Sequence, residues 1–379
     1  MIIFVLGIGV ATTFFGRDDT CLKVKELNYN DRIACWYEDF EKIVKVRGLD
    51  AAFNRLAVLY DREADFRSGC HDITHAIGDT AYFRFKQNKD FKFTEKTSYC
   101  GYGFYHGFIE ALLYSGESYS AAKEFCEGVN ENLTEDIKTP LAVYSCYHGM
   151  GHSMFDLHDP SFYGSEENMV SPALAVCEKI TQGAEEEKRK QCATGIFNAL
   201  GIAYSNDYYD LKMSESDPVW YCRNQEALYK KPCYAEVVLA WVYKGLGAAD
   251  YDFFEAMDFV TSIGDPEGEE IGAFVLASDF TRQHIDSFET LGMGEKCASL
   301  EPVMRTWCFK GVVEALMSWS RPGEEYEPIL AFCGREGIDN GDKSDCFDYF
   351  LPRVGTLYSE EKTKDVCSLV PEEFKNQCT

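Results

Sequence analysis

Apolar residues recur along this chain with the period of an α-helix. In AAFNRLAVLYDREADF (Ala51 to Phe66) and YAEVVLAWVYKGL (Tyr234 to Leu246) they fall at i, i+3, i+4 and i+7, which places them on one face of a helix. No series of short alternating segments joined by Asn-Gly turns interrupts this pattern, so a strand-rich fold is not expected. The expectation is an all-α chain.

The cysteines organise the helices. There are 16 of them, and most fall in pairs whose second member leads into an apolar segment. The segments read CGYGFYHGFIEALL from Cys100, CYHGMGHSMF from Cys146, CATGIFNALGIAY from Cys192 and CFKGVVEALMSW from Cys308. Each has the form C-x-x-G followed by large and then small apolar residues. A related copy without cysteine, IGAFVLASDF, starts at Ile271. These openers recur at roughly 40-residue intervals, the usual length of a helical-hairpin repeat. The glycine three positions after the cysteine (Gly103, Gly149, Gly195, Gly311) predicts close approach of a neighbouring helix, because any side chain there would hold the two backbones apart. The cysteine-stapled helical repeat resembles Sel1-like and tetratricopeptide-type arrays in architecture, without their helix signatures, and that resemblance implies nothing about activity.

The expected fold is therefore all-α: helical-hairpin repeats, as a solenoid or an α/α toroid, stapled by disulfides between neighbouring cysteines. Closing a loop of 11 to 20 residues stabilises a fold by about 3 kcal/mol in the chain-entropy picture. Cys21 with Cys35 and Cys70 with Cys100 complete the set; the second pair spans the longest loop, and Cys70 is also a candidate metal ligand. There is no C-x-x-C pair, which argues against zinc ribbons, iron–sulfur clusters and thioredoxin-type chemistry. The division expected is residues 1–16 as a signal peptide or membrane anchor, 17–160 as repeats carrying the histidines, and 161–379 as further repeats continuous with them.

Charge and cysteine content set the setting. The 379 residues carry 37 basic and 63 acidic side chains, a net charge of −26. So acidic a surface repels phosphate backbones and excludes nucleic acid as a partner. Even, abundant cysteines point to an oxidising compartment. The uncharged run IIFVLGIGVATTFF at positions 2–15 reads as a signal-peptide core or a membrane tether. The expected location is secreted, periplasmic or on the outer face of a membrane, and Asn132-Leu133-Thr134 is a glycosylation sequon.

The candidate chemistry lies in the histidines. Six of the seven fall between positions 71 and 158. His71 and His75, His106 and Glu110, and His148 and His152 are each four residues apart, hence on one helix face with Cβ atoms about 5–6 Å apart. Equivalent positions of successive repeats face the same side, so the three pairs should converge. Five imidazoles and one carboxylate suit zinc or copper, with iron also admitted by the carboxylate. The expected metal ligands are His71, His75, His106, Glu110, His148 and His152, with Glu110 also the candidate catalytic base of a hydrolase or, with a redox metal, an oxidase. Asp72 and Asp156 are candidate outer partners of the imidazoles. Glu236 and Glu314 read as solvated or core-capping, and His284 as structural. The competing expectation is an extracytoplasmic α-repeat scaffold that binds another protein and whose histidines are structural. The partner is then a protein rather than an unidentified small molecule.

Overall fold

The computed structural model describes residues 21, 29–88, 94–129, 131, 133, 140–157, 159–247, 251–335 and 338–378. The hydrophobic run at 2–15, the sequon at Asn132 and His158 lie outside them. Among the described residues there are eighteen α-helices and no strand. In the first part of the chain these are α1 (Tyr29–Arg47), α2 (Leu49–Arg62), α3 (Ala64–Asn88), α4 (Gly103–Tyr114), α5 (Tyr119–Gly128) and α6 (Pro140–Asp156). Next come α7 (Glu166–Ile180), α8 (Glu186–Asn206), α9 (Trp220–Arg223), α10 (Ala227–Leu246), α11 (Phe253–Thr261) and α12 (Pro266–Gln283). The chain ends in α13 (Met293–Ala298), α14 (Pro302–Trp319), α15 (Tyr326–Cys333), α16 (Asn340–Phe350), α17 (Val354–Leu357) and α18 (Glu360–Leu369).

Alternate helices form an inner course. In that course α3 packs on α4, α4 on α6, α6 on α8, α8 on α10, α10 on α12, α12 on α14 and α14 on α16. Shorter helices such as α5, α7, α11, α13 and α15 form the outer course. Several helix starts are fixed by side chains that accept from the first-turn amides: Ser118, Ser165, Asp252, Asp265, Asp339 and Ser359. Each such cap stabilises its helix by about 1 kcal/mol.

All sixteen cysteines are paired, each with its sequence neighbour, including Cys70 with Cys100. Cys70 is therefore not a thiolate ligand. One refinement concerns the helix starts. The second cysteine does not open its helix: Cys146, Cys192, Cys233, Cys308 and Cys346 each sit six residues into α6, α8, α10, α14 and α16. In α8 the turn before the cysteine is polar and holds Glu186 and Glu187, which suit a helix N-terminus and carry no apolar signal.

The predicted glycines are where helices touch. A Cβ on Gly149 would lie 2.8 Å from both the Cα and the carbonyl oxygen of His106, and one on Gly195 would lie 2.9 Å from the His152 nitrogen. Gly103 and Gly311 likewise meet α3 and α12. The inner helices thus pack backbone against backbone.

The far end of the array returns to its beginning. The Tyr60 hydroxyl donates to the Trp319 carbonyl, Arg321 lies 3.6 Å from Asp61, and the Trp319 ring meets the His71 ring edge-on at 5.6 Å. Helix α3 also touches the short turn at Ile285–Thr290. These contacts, spanning over 200 residues of sequence, select the closed ring over the open superhelix.

Candidate metal centre

Three neighbouring inner helices supply the site. Helix α3 brings His71 and His75, α4 brings His106 and Glu110, and α6 brings His148 and His152. Gly107 and Gly149 let α3, α4 and α6 approach until their side chains interleave, because a Cβ at either position would run into the backbone of the next helix.

The His71 ring is set by the turn before α4. Cys100, Gly101 and Tyr102 have φ values of 60°, 65° and 61°, a left-handed run that costs about 1 kcal/mol or more at each non-glycine position. The Cys70–Cys100 disulfide pins this turn. It delivers the Cys100 carbonyl to His71 Nδ1 at 2.8 Å, so Nδ1 carries the proton. His71 Nε2 keeps its lone pair and lies 3.0 Å from His75 Nε2.

The His75 and His106 rings are 4.0 Å apart, centroid to centroid. His106 Nε2 lies 3.0 Å from Glu110 Oε1, and His152 Nδ1 lies 3.3 Å from the same oxygen. Neither nitrogen has a hydrogen-bond partner, although both are buried. Two ligands about 2.0–2.1 Å from one tetrahedral zinc ion stand roughly 3.3–3.4 Å apart, so this close yet unaligned spacing fits donors converging on a common cation. Two donor sets meet these conditions, with atoms within 4.8 Å of one another: His71, His75 and His106, and then His106, Glu110 and His152. His106 belongs to both. Among the described residues, the structure thus brings five of the six expected ligands into groups that could hold a metal ion.

His148 is the sixth. Its ring stands 5.0 Å from that of His106 and 6.3 Å from that of His152, and it belongs to neither group. Asp156 does back the site: it lies 3.5 Å from His152 Nδ1 and accepts from the Tyr114 and Tyr209 hydroxyls at 3.0 Å each. Asp72 is exposed. His284 is structural as expected, with Nδ1 2.9 Å from the Phe280 carbonyl. Tyr105 and Tyr147 bond to Thr97 and Glu127.

Burial governs the electrostatics. Desolvation, reinforced by neighbouring imidazoles, holds His75 and His106 well below the usual histidine range. Desolvation lowers His71 as well and takes His148 down to about 3. For His152, desolvation is outweighed by Asp156 and Glu110, and its pKa is raised. Desolvation lifts the Glu110 carboxyl to about 7, helped by the nearby Asp156. Neutral imidazoles crowded around a half-buried carboxylate form a donor set that a cation relieves and a proton does not.

Sequence reasoning missed two members of this neighbourhood. Asn198 Oδ1 lies 2.9 Å from His152 Nε2, and Asn198 Nδ2 donates to Glu236 Oε2 at 2.7 Å. Glu236 is thus neither solvated nor a cap, and burial raises its pKa to about 7. The available signal was register: Asn198 stands six residues after Cys192, as His106 and His152 stand six after Cys100 and Cys146. Glu314, in the same register, instead accepts from the Tyr349 hydroxyl at 2.9 Å.

No protein-family model, no curated protein and no solved structure matches this chain.

Proposed function

We propose that this chain is an exported metal-binding protein, with an ion held in one of two overlapping donor sets, working as a metal-dependent hydrolase. The observation that carries the reading is the pair of overlapping donor sets on α3, α4 and α6, His71/His75/His106 and His106/Glu110/His152. The donors are nitrogen-rich with one carboxylate, which suits zinc first and copper or iron after it. Bound there, such an ion would act as a Lewis acid and lower the pKa of water. In this reading Glu110 either binds the ion through a carboxylate oxygen or stands beside it as the general base. Asp156, tied by two tyrosines, holds His152, and the Cys100 carbonyl holds His71. Such outer partners keep metal-binding imidazoles in one orientation.

Export is supported by eight disulfides, which persist in oxidising compartments. No described helix is long and apolar enough to cross a membrane. A membrane tether, if used, falls on residues 2–15.

Elemental analysis of the full chain, purified from an oxidising compartment, tests the proposal. About one equivalent of a transition metal is expected, because neutral His106 has one lone pair and serves one ion at a time. No metal, even after incubation with zinc, copper and iron, would leave the histidines as structural groups of a binding scaffold.

A further inference from the structure

We infer that Asn198 and Glu236, on the next two inner helices, are positioning residues that fix which nitrogen of His152 faces the metal; this rests on the metal-binding reading above. The argument is one of donors and acceptors. Ionised Glu236 only accepts, so the amide group of Asn198 that faces it at 2.7 Å must be Nδ2. That leaves Asn198 Oδ1 facing His152 Nε2 at 2.9 Å. Oδ1 has no proton, so His152 Nε2 must carry one. The lone pair of the neutral ring is then on Nδ1, 3.3 Å from Glu110 Oε1 and within the second donor set. Asp156 and Glu110 alone would set the opposite preference, because both lie beside Nδ1 and would accept its proton.

The relay runs α10 to α8 to α6, and each step occupies one inner helix of the ring. Glu236 belongs to neither donor set, and its carboxylate accepts from Asn198; a carboxylate desolvated in this way is costly unless such a partner satisfies it. Gly195 and Gly201 bring the three helices close enough for these side chains to meet: a Cβ on Gly195 would stand 2.9 Å from the His152 nitrogen, and one on Gly201 3.0 Å from the Glu236 carbonyl oxygen.

The test combines imidazole nitrogen NMR with zinc titration on the full chain. In metal-free protein at pH 9, where the ring is neutral, His152 should be the Nε2–H tautomer. Asn198→Leu should move it toward Nδ1–H and weaken zinc binding by about 10- to 100-fold. The double variant Asn198→Asp with Glu236→Gln reverses the polarity of the link but still offers His152 Nε2 an acceptor. It should restore both the tautomer and the affinity, which a merely structural role would not predict. An Nδ1–H tautomer in the wild type, or an Asn198→Leu protein with unchanged tautomer and affinity, would overturn the inference. A wild type that shows the Nε2–H tautomer but binds no zinc would uphold the relay and remove the metal reading.

Discussion

Replacing Gly149 with alanine tests whether backbone contact between inner helices sets the site. The new Cβ would stand 2.7 Å from His106 Cδ2 and 2.8 Å from both its Cα and its carbonyl oxygen. Carbon atoms pack at about 3.5–4.0 Å, so α4 and α6 must separate locally by about 0.7 Å. Overpacking of this kind costs about 1–3 kcal/mol, and alanine returns up to about 1 kcal/mol through helix propensity. The expected net loss is about 1–2 kcal/mol. The consequence for metal is larger, because ligand distances must hold within about 0.2 Å, and α4 carries His106 and Glu110 while α6 carries His152. Zinc affinity should fall at least about tenfold. Gly128→Ala is the control, since nothing lies within 4 Å of a Cβ at that position; it should be neutral or slightly stabilising. Guanidinium unfolding with the disulfides intact, together with zinc titration, reads both effects. A Gly149→Ala protein with wild-type midpoint and zinc affinity would refute the close-packing argument.

The metal-free protein should lose stability in acid. His71, His75, His106 and His148 have folded pKa values below their unfolded value near 6.5, so they stabilise the fold above that pH and lose the contribution as pH falls below it. His152, Glu110 and Glu236 are raised and act in the opposite sense. The lowered histidines are the larger set, so stability should fall as pH drops from about 6.5 toward 5; greater stability at pH 5 than at pH 7 in the presence of chelator would contradict this. Glu110→Gln should weaken zinc binding at least about tenfold by removing the carboxylate of the His106/Glu110/His152 set; unchanged zinc affinity would remove Glu110 from the ligand list. Thiol labelling of denatured protein should find no free cysteine before reduction and 16 after it; any label before reduction would break the eight-disulfide scheme.

The sequence was most informative where local spacing carries the structure. Neighbouring cysteines pair because each staple joins consecutive helices, and the glycine three after the cysteine marks the contact with the next helix. Histidines four apart in three successive repeats had to converge once the repeats stacked. His148 departs from that expectation: its ring stands 5.0 Å from that of His106, yet it joins neither donor set. The start of α8 was hidden, since its first turn, EEKR, is charged and carries no apolar period. Ring closure through Tyr60, Trp319 and Arg321 depends on contacts between distant repeats, which no local pattern encodes. Asn198 was legible only through its register after Cys192, and Glu236 not at all, because burial of a carboxylate follows from its partners, and those lie on other helices.

The most direct test is anomalous X-ray diffraction from crystals of the zinc-loaded protein. One peak is predicted, among His106, Glu110 and His152. Crystals grown with zinc that show no anomalous peak at these side chains would contradict the account and leave the cluster as a structural histidine network.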